Sequence, residues 1–165
     1  MNMVLIGAKA SGKTTICSLL SKKLGKKLVC AEDEIMKRAR MSIPSIIKKG
    51  GMDSFFEIEC EIIEKISGFD DCVFDTMPSI VIRNENITSL KKNSLVIFLT
   101  SDMKTIANRL RAKKSGFGKD YTVALHAQEC ESRYRNAADY AIDTSRLSPE
   151  EVCDLITHYI QTELQ

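Results

Sequence analysis

The chain has 165 residues, 44% of them apolar, enough for a single domain over 1–165 that buries its own core without covalent staples. Its formal charge of +2 is close to balance, so nothing global points to nucleic acid or a membrane surface, and we expect a monomer whose partner is a small molecule. Six cysteines stand singly with no C-x-x-C pair, which disfavours zinc and a redox dithiol and fits reduced, mostly packed thiols in a soluble cytoplasmic protein.

The first apolar run, Met3-Val4-Leu5-Ile6, is too short for a signal peptide or a membrane span, and it enters Gly7-Ala8-Lys9-Ala10-Ser11-Gly12-Lys13-Thr14 directly. An amphipathic stretch, Thr15 to Leu24, follows. A buried strand, a glycine-rich turn and a helix in that order aim several backbone N–H groups at one point, where the helix dipole favours an anion. All positions of the G-x-x-x-x-G-K-[ST] phosphate loop are filled, and the flanking elements are the ones its mechanism requires; a chance glycine-rich turn is the weaker reading. Lys13 is placed to reach the β- and γ-phosphates of ATP, the Thr14 hydroxyl to ligate Mg²⁺, and Gly12 to let the backbone approach the phosphates. Gly7, Ala10, Ser11 and Thr15 complete the expected nucleotide-binding set.

Lys27-Leu28-Val29-Cys30 reads as a second strand, and Glu32, Asp33 and Glu34 follow it. Glu32 or Asp33 is suited to take a proton from an attacking hydroxyl, although carboxylates in a first helical turn are expected on dipole grounds alone. Glu57 to Ile66 sets Ile58, Ile62, Ile63 and Ile66 on one helical face. Asp75 closes the strand Cys72-Val73-Phe74, the usual place for a carboxylate that supports Mg²⁺; the competing reading is a turn cap before Pro78.

Leu95-Val96-Ile97-Phe98-Leu99 is a further strand, and a helix is expected from Asp102 to Ala112. The cations Arg109, Arg111, Lys113 and Lys114 run off that helix into Ser115-Gly116-Phe117-Gly118-Lys119, which suits a flap closing on a triphosphate. Arg133 and Arg135 flank Tyr134 on a following helix, with two readings open: a place on the same cleft, or ordinary surface charge, which is how they read alone. Tyr140-Ala141-Ile142 is the last strand and Pro149 to Ile160 the last helix. His126 and His158 are isolated and receive no role. Strands alternating with helices make an α/β protein with a mostly parallel sheet covered on both faces. Ligands bind such sheets beyond the strand C-termini, here Cys30-Ala31-Glu32, Asp75 to Pro78, Thr100-Ser101 and Asp143-Thr144.

These residues together resemble the shikimate kinase family nearly end to end. The most telling segments are Leu5-Ile6-Gly7 with the loop, Ile35 to Ile43 with Ile46, Ile47 and Gly50, Phe55 with Glu59, Arg109-Leu110-Arg111, Ala138 to Thr144, and Leu147 to Val152. The resemblance implies a three-layer α/β/α P-loop kinase fold with a five-stranded parallel sheet, an acceptor-binding helical subdomain near 32–60 and a lid near 112–123. It also implies that Arg109 and the loop carrying Arg146 hold the adenine, and that the chain is an ATP-dependent phosphotransferase with a small hydroxylated acceptor, shikimate among the possibilities.

The acceptor positions depart from the family pattern. Its Asp-x-Asp pair is Cys30-Ala31-Glu32 here, its arginine after the phenylalanine is Phe56, its three glycines are Met77-Pro78-Ser79, its lid Arg-Pro is Gly116-Phe117, and its arginine before the helix tyrosine is Cys130. The gain of Asp75-Thr76-Met77-Pro78 resembles the Asp-x-x-Pro of adenylate kinases, which raises a nucleoside monophosphate as an alternative acceptor. A third reading is a nucleotide-binding module without turnover.

Overall fold

The computed structural model describes residues 1–113, 126 and 128–163. Five strands, β1 (Asn2–Ile6), β2 (Lys27–Cys30), β3 (Cys72–Asp75), β4 (Ser94–Thr100) and β5 (Tyr140–Asp143), pair in the order β2-β3-β1-β4-β5. Every pairing is parallel, with Leu5 opposite Asp75 and Ile97, and Cys30 opposite Asp75. The central strands are short apolar runs because both faces of the sheet are covered. Val4, Ile6, Phe74, Val96 and Phe98 face one core; Met3, Leu5, Val73, Leu95, Ile97 and Leu99 face the other.

The second core is closed by α1 (Lys13–Leu24) through Ile16, Cys17 and Leu20, and by α7 (Pro149–Glu163) through Val152, Cys153 and Ile156. The first core is closed by α2 (Ala31–Ala39), α3 (Ile43–Ser67), α4 (Asn84–Lys91) and α6 (Glu131–Ala137). Within α3, Ile62, Ile63 and Ile66 are buried and Ile58 is half-buried, the face expected from their spacing. Gly51 interrupts this helix at φ 78°, and Ser42 caps its start. A further helix, α5 (Met103–Ala112), is capped by Asp102, whose carboxylate accepts from the Thr105 N–H at 2.6 Å. Its Ile106 and Leu110 pack against Ala8, a contact that brings the helix to the phosphate loop.

All six cysteines are free thiols, four of them buried. No helix among the described residues is long and apolar enough to cross a membrane.

Candidate active site

The phosphate loop leaves β1 at Gly7 and enters α1 at Lys13, so α1 begins with its free amides at the loop's end. Three of its residues take positive φ: Gly7 (148°), Ala10 (65°) and Gly12 (97°). At Gly7 space as well as torsion demands glycine. A Cβ there would lie 2.5 Å from the Leu99 carbonyl oxygen and 3.0 Å from Ser11 Oγ. Gly7→Ala is therefore expected to destabilise the protein by about 2 kcal/mol, read as a lowered urea midpoint; an unchanged midpoint would refute the tight packing of loop on β4.

Lys13 is buried and donates from Nζ to the carbonyls of Gly7 (2.7 Å) and Ala8 (3.0 Å). Burial pushes its ammonium down from 10.5 to about 8, and the charge of Asp75 works in the opposite direction. A cavity of about 390 Å³ opens over the strand ends, and Gly12, Lys13, Thr14, Thr15, Glu32 and Asp75 all line it. Thr76 and Pro78 continue that lining. The Thr76 hydroxyl, buried, donates to the Leu5 carbonyl at 2.7 Å and so fixes the turn after β3 against β1.

A second cavity of about 360 Å³ adjoins the first through Ala10, Gly12, Thr15 and Lys113 and is lined further by Ser11, Arg109, Thr144 and Leu147. Arg109 Nη1 donates to Ala10 O (3.2 Å), Ser101 Oγ (3.0 Å) and Thr144 Oγ1 (3.1 Å), and Nη2 donates to Thr144 O (2.8 Å). This guanidinium ties the phosphate loop to the ends of β4 and β5, leaving an apolar floor of Ile16, Leu147 and Val152 beside it. Ser11 Oγ is buried without a hydrogen-bond partner among the described residues.

These features fit a magnesium nucleotide. Gly7 lets the loop lie tight against β4, the free amides at the start of α1 suit an anion, Thr14 and Asp75 offer hard oxygen ligands on one cavity, and the apolar second cavity suits a base.

The expected residues are not all gathered. Asp33 is exposed and lines neither cavity, whereas Glu32 lines the first. Arg146 is likewise exposed and outside both linings. Arg133 and Arg135 line neither cavity, in keeping with the surface-charge reading; Arg135 pairs with Glu131 at 2.6 Å and lies over the Phe98 ring. Arg83, the first cation after the Asp75-x-x-Pro78 turn in the sequence, pairs with Asp53 at 3.6 Å and covers the Phe56 ring instead of entering the cavity. Of the segment 112–123 expected to form a lid, Ala112 and Lys113 line the second cavity, and residues 114–123 lie outside the described residues.

Sequence reasoning assigned no role to Glu59, which is fully buried. Its Oε1 accepts from Ser79 Oγ at 2.6 Å, and its Oε2 has no partner among the described residues. Burial pushes the carboxyl up from 4.5 to about 7, against the opposing effect of the Ser79 hydrogen bond. The available signal was its spacing: Glu59 stands four residues after Phe55 and four before Ile63, a charged residue within the apolar stripe of α3. Alongside it, Tyr134 donates from its hydroxyl to the Pro78 carbonyl at 2.6 Å. The Pro78-Ser79 step is thus held from behind by α3 and α6.

A family model described as shikimate kinase matches residues 9–161 of the chain. The chain belongs to the shikimate kinase family. A shikimate kinase of Dehalococcoides mccartyi strain BAV1 is 35% identical over 160 residues, covering 94% of this chain and 90% of that one. One from Thermodesulfovibrio yellowstonii is 33% identical over 165 residues, covering 94% and 92%. The solved shikimate kinase from Acinetobacter baumannii, in complex with shikimate, has the same fold: TM-score 0.90 at 22% identity, covering 98% of this chain and 93% of that chain. Membership in the shikimate kinase family makes the protein an ATP-dependent phosphotransferase of P-loop kinase fold that acts on a hydroxyl group.

Proposed function

We propose that this protein transfers the γ-phosphoryl group of ATP to a hydroxyl of a small acceptor bound between Glu32 and the phosphate loop. The observation that supports this reading is the convergence of Lys13, Thr14, Glu32 and Asp75, from three different strand ends, on one cavity. Magnesium ATP, when bound, supplies the transferable phosphoryl group and a stabilised ADP leaving group. Thr14 Oγ1 and the Asp75 carboxylate would hold the metal, and the amides at the start of α1 would hold the phosphates. Lys13 would set its charge against the oxygens of the group in flight, and because it is buried that charge interacts more strongly than it would in water. Arg109 holds the loop in register with the base cavity. Glu32 stands at the first turn of α2, placed to accept the acceptor's proton as its oxygen attacks.

Shikimate is the first acceptor to try, because the relatives are named for it. Replacing Glu32 by glutamine is expected to lower acceptor-dependent ADP release by about a hundredfold or more while changing ATP affinity less than twofold. Equal turnover by the variant, or a parallel loss of ATP binding, would remove Glu32 from the proton-accepting role.

A further inference from the structure

The walls of the first cavity differ sharply in charge. Among the described residues its cations are Lys9, Lys13 and Lys113, from the phosphate loop and the end of α5. Across from them stand Cys30, Glu32, Met77 and Pro78, and no basic side chain from residues 31–83 lines the cavity. The basic residues of that region whose partners are visible point elsewhere: Lys37 and Lys65 to Glu34, Arg38 to Glu61, and Arg83 to Asp53. The wall is also fixed in place. Ser79 is held by Glu59 and Pro78 by Tyr134, so the Met77-Pro78-Ser79 turn cannot swing aside cheaply to admit a cation from behind it. What lies behind is a further carboxyl group, the fully buried Glu59.

A triphosphate engages the lysines of the opposite wall. An acceptor carboxylate would then be desolvated beside Glu32 with no counter-charge from the acceptor wall, an arrangement that penalises binding more than hydroxyl or amide groups are penalised. Resting on the phosphoryl-transfer reading above, we infer that the acceptor is an uncharged polyhydroxylated molecule, without a carboxylate, held by hydrogen bonds that it donates to Glu32 and by contact with Cys30, Met77 and Pro78. The chemical balance is unchanged by this choice: the acceptor oxygen bonds to the γ-phosphorus, the bond from that phosphorus to the β,γ-bridging oxygen breaks, ADP departs, and the hydroxyl proton passes to Glu32.

The test uses the full chain with Mg²⁺ and ATP and matched pairs of compounds that differ only in charge: shikimate and its carboxamide, gluconate and its carboxamide. Acceptor-dependent ADP release is measured for each at pH 7.5. We expect kcat/KM for the carboxamide to exceed that of the carboxylate at least tenfold in a pair that turns over. Met77→Arg, which plants a cation on the uncharged wall, is expected to reverse or erase that preference. A carboxylate preferred by the unmodified protein overturns the inference and leaves the kinase reading standing. A preference that Met77→Arg leaves untouched overturns the electrostatic cause. No stimulation by any of the four compounds sinks the inference, and the kinase reading is then judged separately by whether Lys13 and Glu32 variants alter the slow release of ADP to water.

Discussion

Replacing Lys13 with methionine is expected to lower kcat by about a thousandfold with little loss of folded protein. Lys13 is buried against the phosphate loop and hydrogen-bonds two of the loop's own carbonyls, Gly7 and Ala8. Its ammonium is pushed down to about 8 by desolvation, so burying the charge is a cost that the fold carries. Methionine fills nearly the same space without that cost, and the carbonyls it leaves unpaired offset part of the gain; the net change in stability is expected to be within about 1 kcal/mol. The catalytic loss has no such offset. A preorganised cation in a water-excluded site contributes most when charge spreads over the transferred group, and a neutral thioether contributes nothing there. A depressed ammonium also predicts that the nucleotide-free protein loses this charge as pH rises through about 8, and that bound phosphates, being anionic, move the loss to higher pH. Single-turnover kinetics with thermal unfolding on the same samples separates the two effects. A variant that unfolds, or one that keeps more than a tenth of wild-type kcat, would contradict the assignment.

Glu59→Gln is expected to flatten the pH dependence of stability between pH 5 and pH 8. The buried carboxyl of Glu59 is raised from 4.5 to about 7, so the folded protein keeps a proton that the unfolded chain releases. When the folded state binds more protons than the unfolded state, stability falls with rising pH. For Glu59 the fall begins near 4.5 and is complete above about 7, and 2.5 units correspond to a loss of about 3 kcal/mol. Glutamine has no proton to lose, keeps an acceptor for the Ser79 hydroxyl and occupies the same volume. Urea unfolding at pH 5 and pH 8 should show the wild type losing about 2.5 kcal/mol more than the variant over that interval, the rest having gone below pH 5. Parallel losses in the two proteins would mean that the carboxyl ionises without penalty, and hence that it reaches water.

The alternation of five apolar runs with helical patterns was enough to define the parallel sheet, because a strand covered on both faces must be apolar along its length. The loop from Gly7 to Thr14 was equally legible. Its function resides in backbone geometry, and backbone geometry of that kind leaves glycines at fixed spacing. Glu32 and Asp33 show where legibility ended: adjacent carboxylates are indistinguishable in a string, but on a helix they diverge by about 100°, and Glu32 alone lines the cavity. Arg146 shows a related limit: its loop reaches the second cavity through Leu147 and Pro149 while Arg146 itself is exposed, and loop residues carry no periodicity from which a direction can be read.

By itself the sequence determined the order of strands and helices, the site of phosphate binding and the family to which the chain belongs, because each depends on local pattern or on residues contiguous along the chain. Only the tertiary structure decided that Thr144 and Ser101 would share Arg109 with the phosphate loop, that Arg83 would turn away toward Asp53, and that Ser79 would rest on a buried Glu59. Each of these joins groups on separate elements, between 8 and 35 residues apart in the Arg109 contacts to Ser101 and Thr144, and no local rule states which of several available partners a long polar side chain will meet. The charge of the acceptor wall belongs with them: it is a property of the side chains that the sheet brings together, and of those it leaves outside.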